Sequence, residues 1–282
     1  MIWGDFLDNY CDGKLIIIGG AEDKEGRKEI LKNVSLESKD QSGVLTIATL
    51  ATEYPKEAWD KYKKVFSELG VKNLKVLDIS KRKDSFDETN LNIVRESSTI
   101  FFTGGDQLRI TSLVGGTPLF DEFNKAFREG CVLVGTSAGA SVMSSTMIVK
   151  GDDEKSPRKC TLKMAPGFGF IKKVIIDQHF AQRGRIGRLL AGIAQNPETL
   201  GIGIDEDTAI VVDKNDIRVI GNGAVYFIDG ADLTFSNVSE KYQEEILSMY
   251  NVRMHILTAG NRFNLQKRAP FEEEVTKNEN SQ

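Results

Sequence analysis

The stretch Gly-Thr-Ser-Ala-Gly-Ala-Ser at residues 135–141 crowds small residues around one hydroxyl, that of Ser137. It fits the pattern G-x-S-x-G, in which a serine sits on a sharp strand-to-helix turn and projects above the sheet edge. Bulky neighbours would collide there, so Gly135, Ala138, Gly139 and Ala140 leave room for the turn and for a substrate. The chemistry favoured is acyl transfer: the hydroxyl attacks a carbonyl while the Ala138 N–H faces the developing oxyanion. The plain alternative is a tight β–α turn with a capping serine. A serine hydroxyl also needs a base. The chain has two histidines. His179 ends the stretch "VIIDQH" at a strand end, whereas His255 alternates with apolar residues in "VRMHIL" and reads as structural. A chain order of nucleophile, acid, histidine would place the orienting carboxylate between 137 and 179. There "KGDDEK" offers Asp152, Asp153 and Glu154; Glu154 leads and Asp152 is next, with at least two of the three belonging to a solvated turn.

Two further groups point to the same chemistry. Arg183, Arg185 and Arg188 follow His179 closely, and the last two would share a helix face. Arginine clusters hold carboxylates in bidentate pairs, so a substrate carrying carboxylates is expected; the plain alternative is a basic, solvent-facing helix start. In "FFTGGDQLRI", Gly105 is placed to give a second oxyanion N–H and Gln107 to hold a substrate amide. "GGAEDK" at residues 19–24 matches neither a dinucleotide nor a P-loop pattern and reads equally well as a glycine turn without function.

The elements that position these residues alternate. Apolar runs rich in β-branched residues at 14–20, 43–50, 74–79, 99–105, 131–137 and 174–180 read as buried strands. Between them, "KEGRKEILKNV", "KEAWDKYKKVFSELG" and "PLFDEFNKAFREG" carry apolar residues at helical spacing, the last two closing on Gly70 and Gly130. Such alternation predicts a parallel sheet covered on both faces, with reactive groups gathered at the carboxyl ends of its strands. Beyond residue 200 the chain reads as short antiparallel strands extending the same domain, which spans 1–265; the polar stretch 266–282 reads as a mobile charged tail.

Composition narrows the function. The 282 residues are 40% hydrophobic and 28% charged with a net charge of −4, so no general basic field for nucleic acid exists. No apolar run approaches a membrane span, and the acidic N-terminus lacks a signal-peptide pattern, so a cytoplasmic location is expected. Cys11, Cys131 and Cys160 lack metal-site spacing, and Cys131 inside a strand reads as packing.

"IIIGGAEDK", "FFTGGDQLRIT", "GTSAGASVMSSTMIV", "DQHFAQRGRIGRLL" and "GIGIDEDTAIVV" together resemble the cyanophycinases, which stand beside aspartyl dipeptidase (peptidase E) among serine peptidases. The resemblance runs from about Leu15 to about Phe263. It implies a three-layer α/β sandwich like the class I glutamine amidotransferases, flavodoxin-like, and usually dimeric. It implies hydrolysis of cyanophycin, a poly-aspartate with an arginine on each side-chain carboxyl, to β-Asp-Arg dipeptides without metal or cofactor. Its nucleophile and base fall on Ser137 and His179, its glutamate on or next to Glu154, and its pocket on Gln107, Asp177, Gln178, Arg183, Arg185 and Arg188. Each substrate unit would offer a carboxylate to the arginines and a guanidinium to an acid such as Asp177. The rival readings are a dipeptidase for α-Asp peptides on the same fold and a non-catalytic protein that senses acidic peptides.

Overall fold

The computed structural model describes residues 6–7, 11–40, 43–153, 156–158, 162–239 and 245–272. The first half alternates as its apolar runs require: β1 (Leu15–Ile18), α1 (Glu29–Asp40), β2 (Val44–Ala48), α2 (Pro55–Glu68), β3 (Leu74–Leu77), α3 (Glu88–Arg95), β4 (Ser97–Phe102), α4 (Gln107–Val114), α5 (Pro118–Arg128), β5 (Val132–Thr136) and the single turn α6 (Ala138–Ser141). The second half is richer in strands: β6 (Thr146–Lys150), β7 (Lys163–Pro166), β8 (Val174–Gln178), α7 (Ile186–Gln195), β9 (Leu200–Ile204), β10 (Thr208–Asp213), β11 (Asp216–Gly221) and β12 (Ala224–Asp229). It closes with β13 (Phe235–Ser236), β14 (Met249–Tyr250), β15 (Arg253–Thr258), β16 (Arg262–Asn264) and β17 (Ala269–Phe271).

The central sheet runs β17-β16-β11-β10-β1-β5-β4-β2-β3. From β1 to β3 its strands are parallel; β10, β11, β16 and β17 continue it antiparallel. Period-two alternation feeds two cores. Leu15 and Ile17 of β1 face one cluster with Phe102, Phe123 and Leu133; Ile16 and Ile18 face the other with Leu31, Phe66 and Phe101. Burial on both faces is why these strands read as unbroken apolar runs. This is the expected α/β sandwich with an antiparallel C-terminal extension.

Three expectations change. "VIIDQHF" does not join the central sheet: β8 pairs in parallel with β9 in a second sheet, order β15-β12-β9-β8. That sheet packs Ile176, Ile202 and Phe227 on the first core and is covered outside by Leu189 and Ile193 of α7. The first helix starts late, at Glu29, because Asp23 captures the N–H groups of Glu25, Gly26 and Lys28 and folds that stretch into a turn. These bonds favour the ionised carboxylate and hold Asp23 at about 2. The boundary of the mobile tail at 266 also moves. Ala269–Phe271 forms β17, and the Arg268 guanidinium is 2% exposed against Asp229, donating to its Oδ1 at 2.6 Å. Residues 273–282 of that tail lie outside the described residues. Among the described residues no helix is long and apolar enough to cross a membrane.

Candidate active site

β1 and β5 are parallel neighbours, so the Gly19–Gly20 pair and Ser137 emerge side by side at one sheet edge. Ser137 adopts φ 53° and ψ −111°, a sparsely populated conformation for a residue with a side chain. Such strain persists where the surroundings over-determine it. Here the Ser137 N–H donates to Ile18 O at 3.1 Å, and its carbonyl accepts from Ala140 and Ser141 at 3.0 Å each. The small residues are a steric requirement: a Cβ on Gly139 would stand 2.3 Å from the Phe102 carbonyl oxygen.

His179 leaves β8 with φ 49°, the same left-handed region. Its N–H donates to Gly19 O at 2.8 Å, and its ring lies over Gly20, where a Cβ would come within 2.4 Å of Cε1. The glycine pair, which the sequence left open as a turn without function, is therefore the seat of the histidine. Ser137 Oγ stands 3.0 Å from His179 Nε2. On the far side of the ring, Nδ1 is 2.6 Å from Glu206 Oε1. With the carboxylate ionised, Nδ1 carries the proton and donates it to Glu206, which leaves Nε2 to accept from the serine hydroxyl.

The carboxylate that meets the histidine thus comes after it in the chain, not between 137 and 179. Glu154 lies outside the described residues. Asp153 is engaged elsewhere, accepting at Oδ1 from Arg185 Nε at 3.0 Å and Arg188 Nη1 at 3.2 Å. Glu206 occupies the turn between β9 and β10, and its acidic neighbours build that turn. Asp205 accepts the N–H groups of Ala181 and Ala224, while Asp207 accepts that of Asp23 and donates its own to Gly20 O. The Glu206 N–H is held by Gln182 Oε1 at 3.0 Å. The available signal was "IDED" directly after the apolar run "LGIG", the same strand-end placement that marked His179.

Gly104 lies beside Ser137: a Cβ built on it would be 3.4 Å from Ser137 Cβ and 3.9 Å from its Oγ. Among the described residues the N–H groups of Gly105 and Ala138 meet no protein acceptor. Gln107 donates its amide N–H groups to the carbonyls of Ile148 at 2.9 Å and Val149 at 3.4 Å, which leaves its Oε1 to accept. The arginine cluster divides. Arg188 clasps Asp177 through Nε at 2.7 Å and through Nη2. Arg185 donates from Nη1 to the Gln178 carbonyl at 2.6 Å and to its Oε1 at 3.0 Å. Asp177, Gln178, Arg185 and Arg188 are all buried, and both Asp177 oxygens already accept from Arg188. Arg183 is exposed and has no acceptor among the described residues.

Burial disfavours a charged imidazole, and although the hydrogen bond to Glu206 opposes this, the Arg183 and Arg185 guanidiniums add to it; His179 is held below the ordinary histidine range. This favours the neutral ring, with Nε2 free to accept a proton. His255 lies in β15 with its ring edge toward Phe263 at 6.0 Å, away from this constellation. Cys131 is buried, and desolvation pushes its thiol up to about 12, far from a reactive thiolate.

Residues 15–220 match peptidase family S51. The chain belongs to this family. It is a serine-type peptidase, and its similarity to curated relatives extends past the matched segment. It is 41% identical over 267 residues to a cyanophycinase of Geminocystis herdmanii, covering 94% of this chain and 98% of that one. It is 38% identical over 256 residues to a cyanophycinase of Trichormus variabilis, covering 90% and 86% respectively. A peptidase E of Nostoc is more distant, at 22% over 207 residues covering 71% of this chain. A solved peptidase from an acI-B1 actinobacterium shares the fold with a TM-score of 0.66 over 90% of this chain and 98% of its own, at 24% identity.

Proposed function

We propose that this peptidase is a cyanophycinase in which Ser137 is the nucleophile, His179 the base and Glu206 the acid that orients it. The observation that carries the reading is the unbroken contact Ser137 Oγ–His179 Nε2–Nδ1–Glu206, in a chain matching cyanophycinases along nearly its whole length. The Ser137 hydroxyl passes its proton to Nε2 as Oγ bonds to a backbone carbonyl carbon of the poly-aspartate. The oxyanion accepts from the Gly105 and Ala138 N–H groups. Collapse breaks the C–N bond; the leaving amine takes the proton from Nε2, and water, activated by the same nitrogen, releases the acyl group as a carboxylic acid. No step calls for a metal ion or organic cofactor. Release proceeds from a chain end and yields β-Asp-Arg.

Arg183 is the open cation beside the base and receives the carboxylate of the substrate arginine. Asp177, Gln178, Arg185 and Arg188 form a mutually paired polar wall that shapes the pocket, and Gln107 Oε1 accepts a substrate amide. The same reading places the protein in the cytoplasm as a homodimer.

Replacing Arg183 by alanine is expected to raise KM about tenfold, the scale of one charge-assisted hydrogen bond near solvent, with kcat little changed. It has a second signature. The acid limb of kcat/KM reports His179, so its midpoint lies below that of an ordinary histidine. Removing the Arg183 cation relieves repulsion of the imidazolium, so the limb moves to higher pH. A pH–rate profile with unchanged KM and an unmoved limb would count against both roles.

The reading as a whole is tested by incubating the purified protein with insoluble cyanophycin in EDTA and identifying soluble products by mass spectrometry. Release of β-Asp-Arg dipeptide is expected. Inactivity on the polymer with cleavage of short α-Asp peptides would establish the dipeptidase instead, and silence on both a binding protein.

A further inference from the structure

Residues 18–23, Ile-Gly-Gly-Ala-Glu-Asp, reach the surroundings of all three relay members. The Ile18 carbonyl accepts from Ser137 at 3.1 Å, that of Gly19 from His179 at 2.8 Å, and that of Gly20 from Asp207, beside Glu206, at 2.9 Å. From this loop one carboxylate turns inward. Glu22 is 3% exposed. Its Oε2 accepts from Thr136 Oγ1 at 2.6 Å; its Oε1 accepts from the Tyr62 hydroxyl at 2.5 Å and from Lys24 Nζ at 2.7 Å. Burial alone would raise this carboxyl, but the Lys24 charge and the three donors outweigh it and keep the group ionised. A buried charge of this kind is costly, and well-packed apolar residues would serve stability as well. The relay chemistry does not use it.

Its partners show what it holds. Thr136 immediately precedes Ser137 and already pairs with Ile18 across β1 and β5. The Glu22–Thr136 bond adds a side-chain strap between the same two segments, one rung before the strained serine. The strap is anchored in the core: Tyr62 lies in α2, buried, with its ring 4.7 Å from that of Phe101. Slippage of the loop against β5 would move the serine and the histidine seat relative to each other.

We propose that Glu22 is a positioning residue that clamps the 18–23 loop to Thr136 and so keeps the nucleophile and the seat of its base in register. This rests on the serine-peptidase reading of the site, but not on the identity of the substrate. The test therefore reads the nucleophile directly, as the second-order rate at which a small fluorophosphonate labels Ser137, alongside kcat and KM on cyanophycin and the melting temperature. Glu22→Gln and Thr136→Val are expected to slow both labelling and kcat about 100-fold with KM nearly unchanged, the loss that follows a misplacement of about 1 Å. Thr136→Ser, which keeps the hydroxyl, restores both. Should Glu22→Gln not fold, Thr136→Val decides alone. Folded variants that label at the wild-type rate would overturn the proposal. A wild-type protein that labels but leaves cyanophycin intact would refute the substrate reading and leave the Glu22 comparison valid; one that does not label at all would overturn both.

Discussion

Ser137→Ala is expected to fold, to melt within a few degrees of the wild type, and to lose kcat by on the order of a million-fold, the cost of removing a serine nucleophile whose base and acid stay in place. Folding survives because the strained backbone is held by bonds that alanine keeps: Ser137 N–H to Ile18 O, and the Ala140 and Ser141 N–H groups to its own carbonyl. Only the hydroxyl contact with Nε2 is lost, a net change of about 1 kcal/mol. The loss falls on kcat because the groups assigned to substrate, Gly105, Gln107 and Arg183, are untouched and binding persists. A kcat within tenfold of the wild type would remove Ser137 from the chemistry and with it the acyl-enzyme.

The strained turn at Ser137 was legible because its constraint is local. Gly139 beneath the Phe102 carbonyl and Gly135 against the Gly139 carbonyl are steric demands that both fall within five consecutive residues. The parallel strands were legible for a related reason: strands buried on both faces carry an unmistakable apolar run. The same run does not say which sheet a strand joins. β8 is apolar on both faces because α7 covers one and the first core the other, and this looks no different in sequence from burial inside the central sheet. Composition also misled at the C-terminus, where Arg268 reads as part of a charged tail until Asp229, 39 residues earlier, appears beside it. The seat of the histidine was hidden in the same way. Gly20 is explained by the ring above it, and that ring comes from a distant strand.

Glu206→Ala is expected to lower kcat about 10³- to 10⁴-fold with KM little changed, whereas alanine at Glu154 or Asp152 leaves kcat near the wild type. The expectation follows from what a relay requires. An orienting acid works through contact with Nδ1, and any chain order that delivers a carboxylate there is equivalent; serine, histidine and glutamate occur here in that order. Glu206 delivers it from a turn fixed by Asp205, Asp207 and Gln182, so its carboxylate is placed before substrate arrives. Its side chain is 36% exposed, which screens the pair and puts the expected loss at the lower end of those seen for fully buried relay acids. Glu206→Gln separates placement from charge. The amide still fits the turn but no longer favours the imidazolium, so the acid limb of kcat/KM should move to lower pH, opposite in sign to the shift from Arg183→Ala. Equal, mild losses at Glu206, Glu154 and Asp152 would mean that none of them orients His179 in turnover; a large loss at Glu154 alone would restore the chain order that the sequence first suggested.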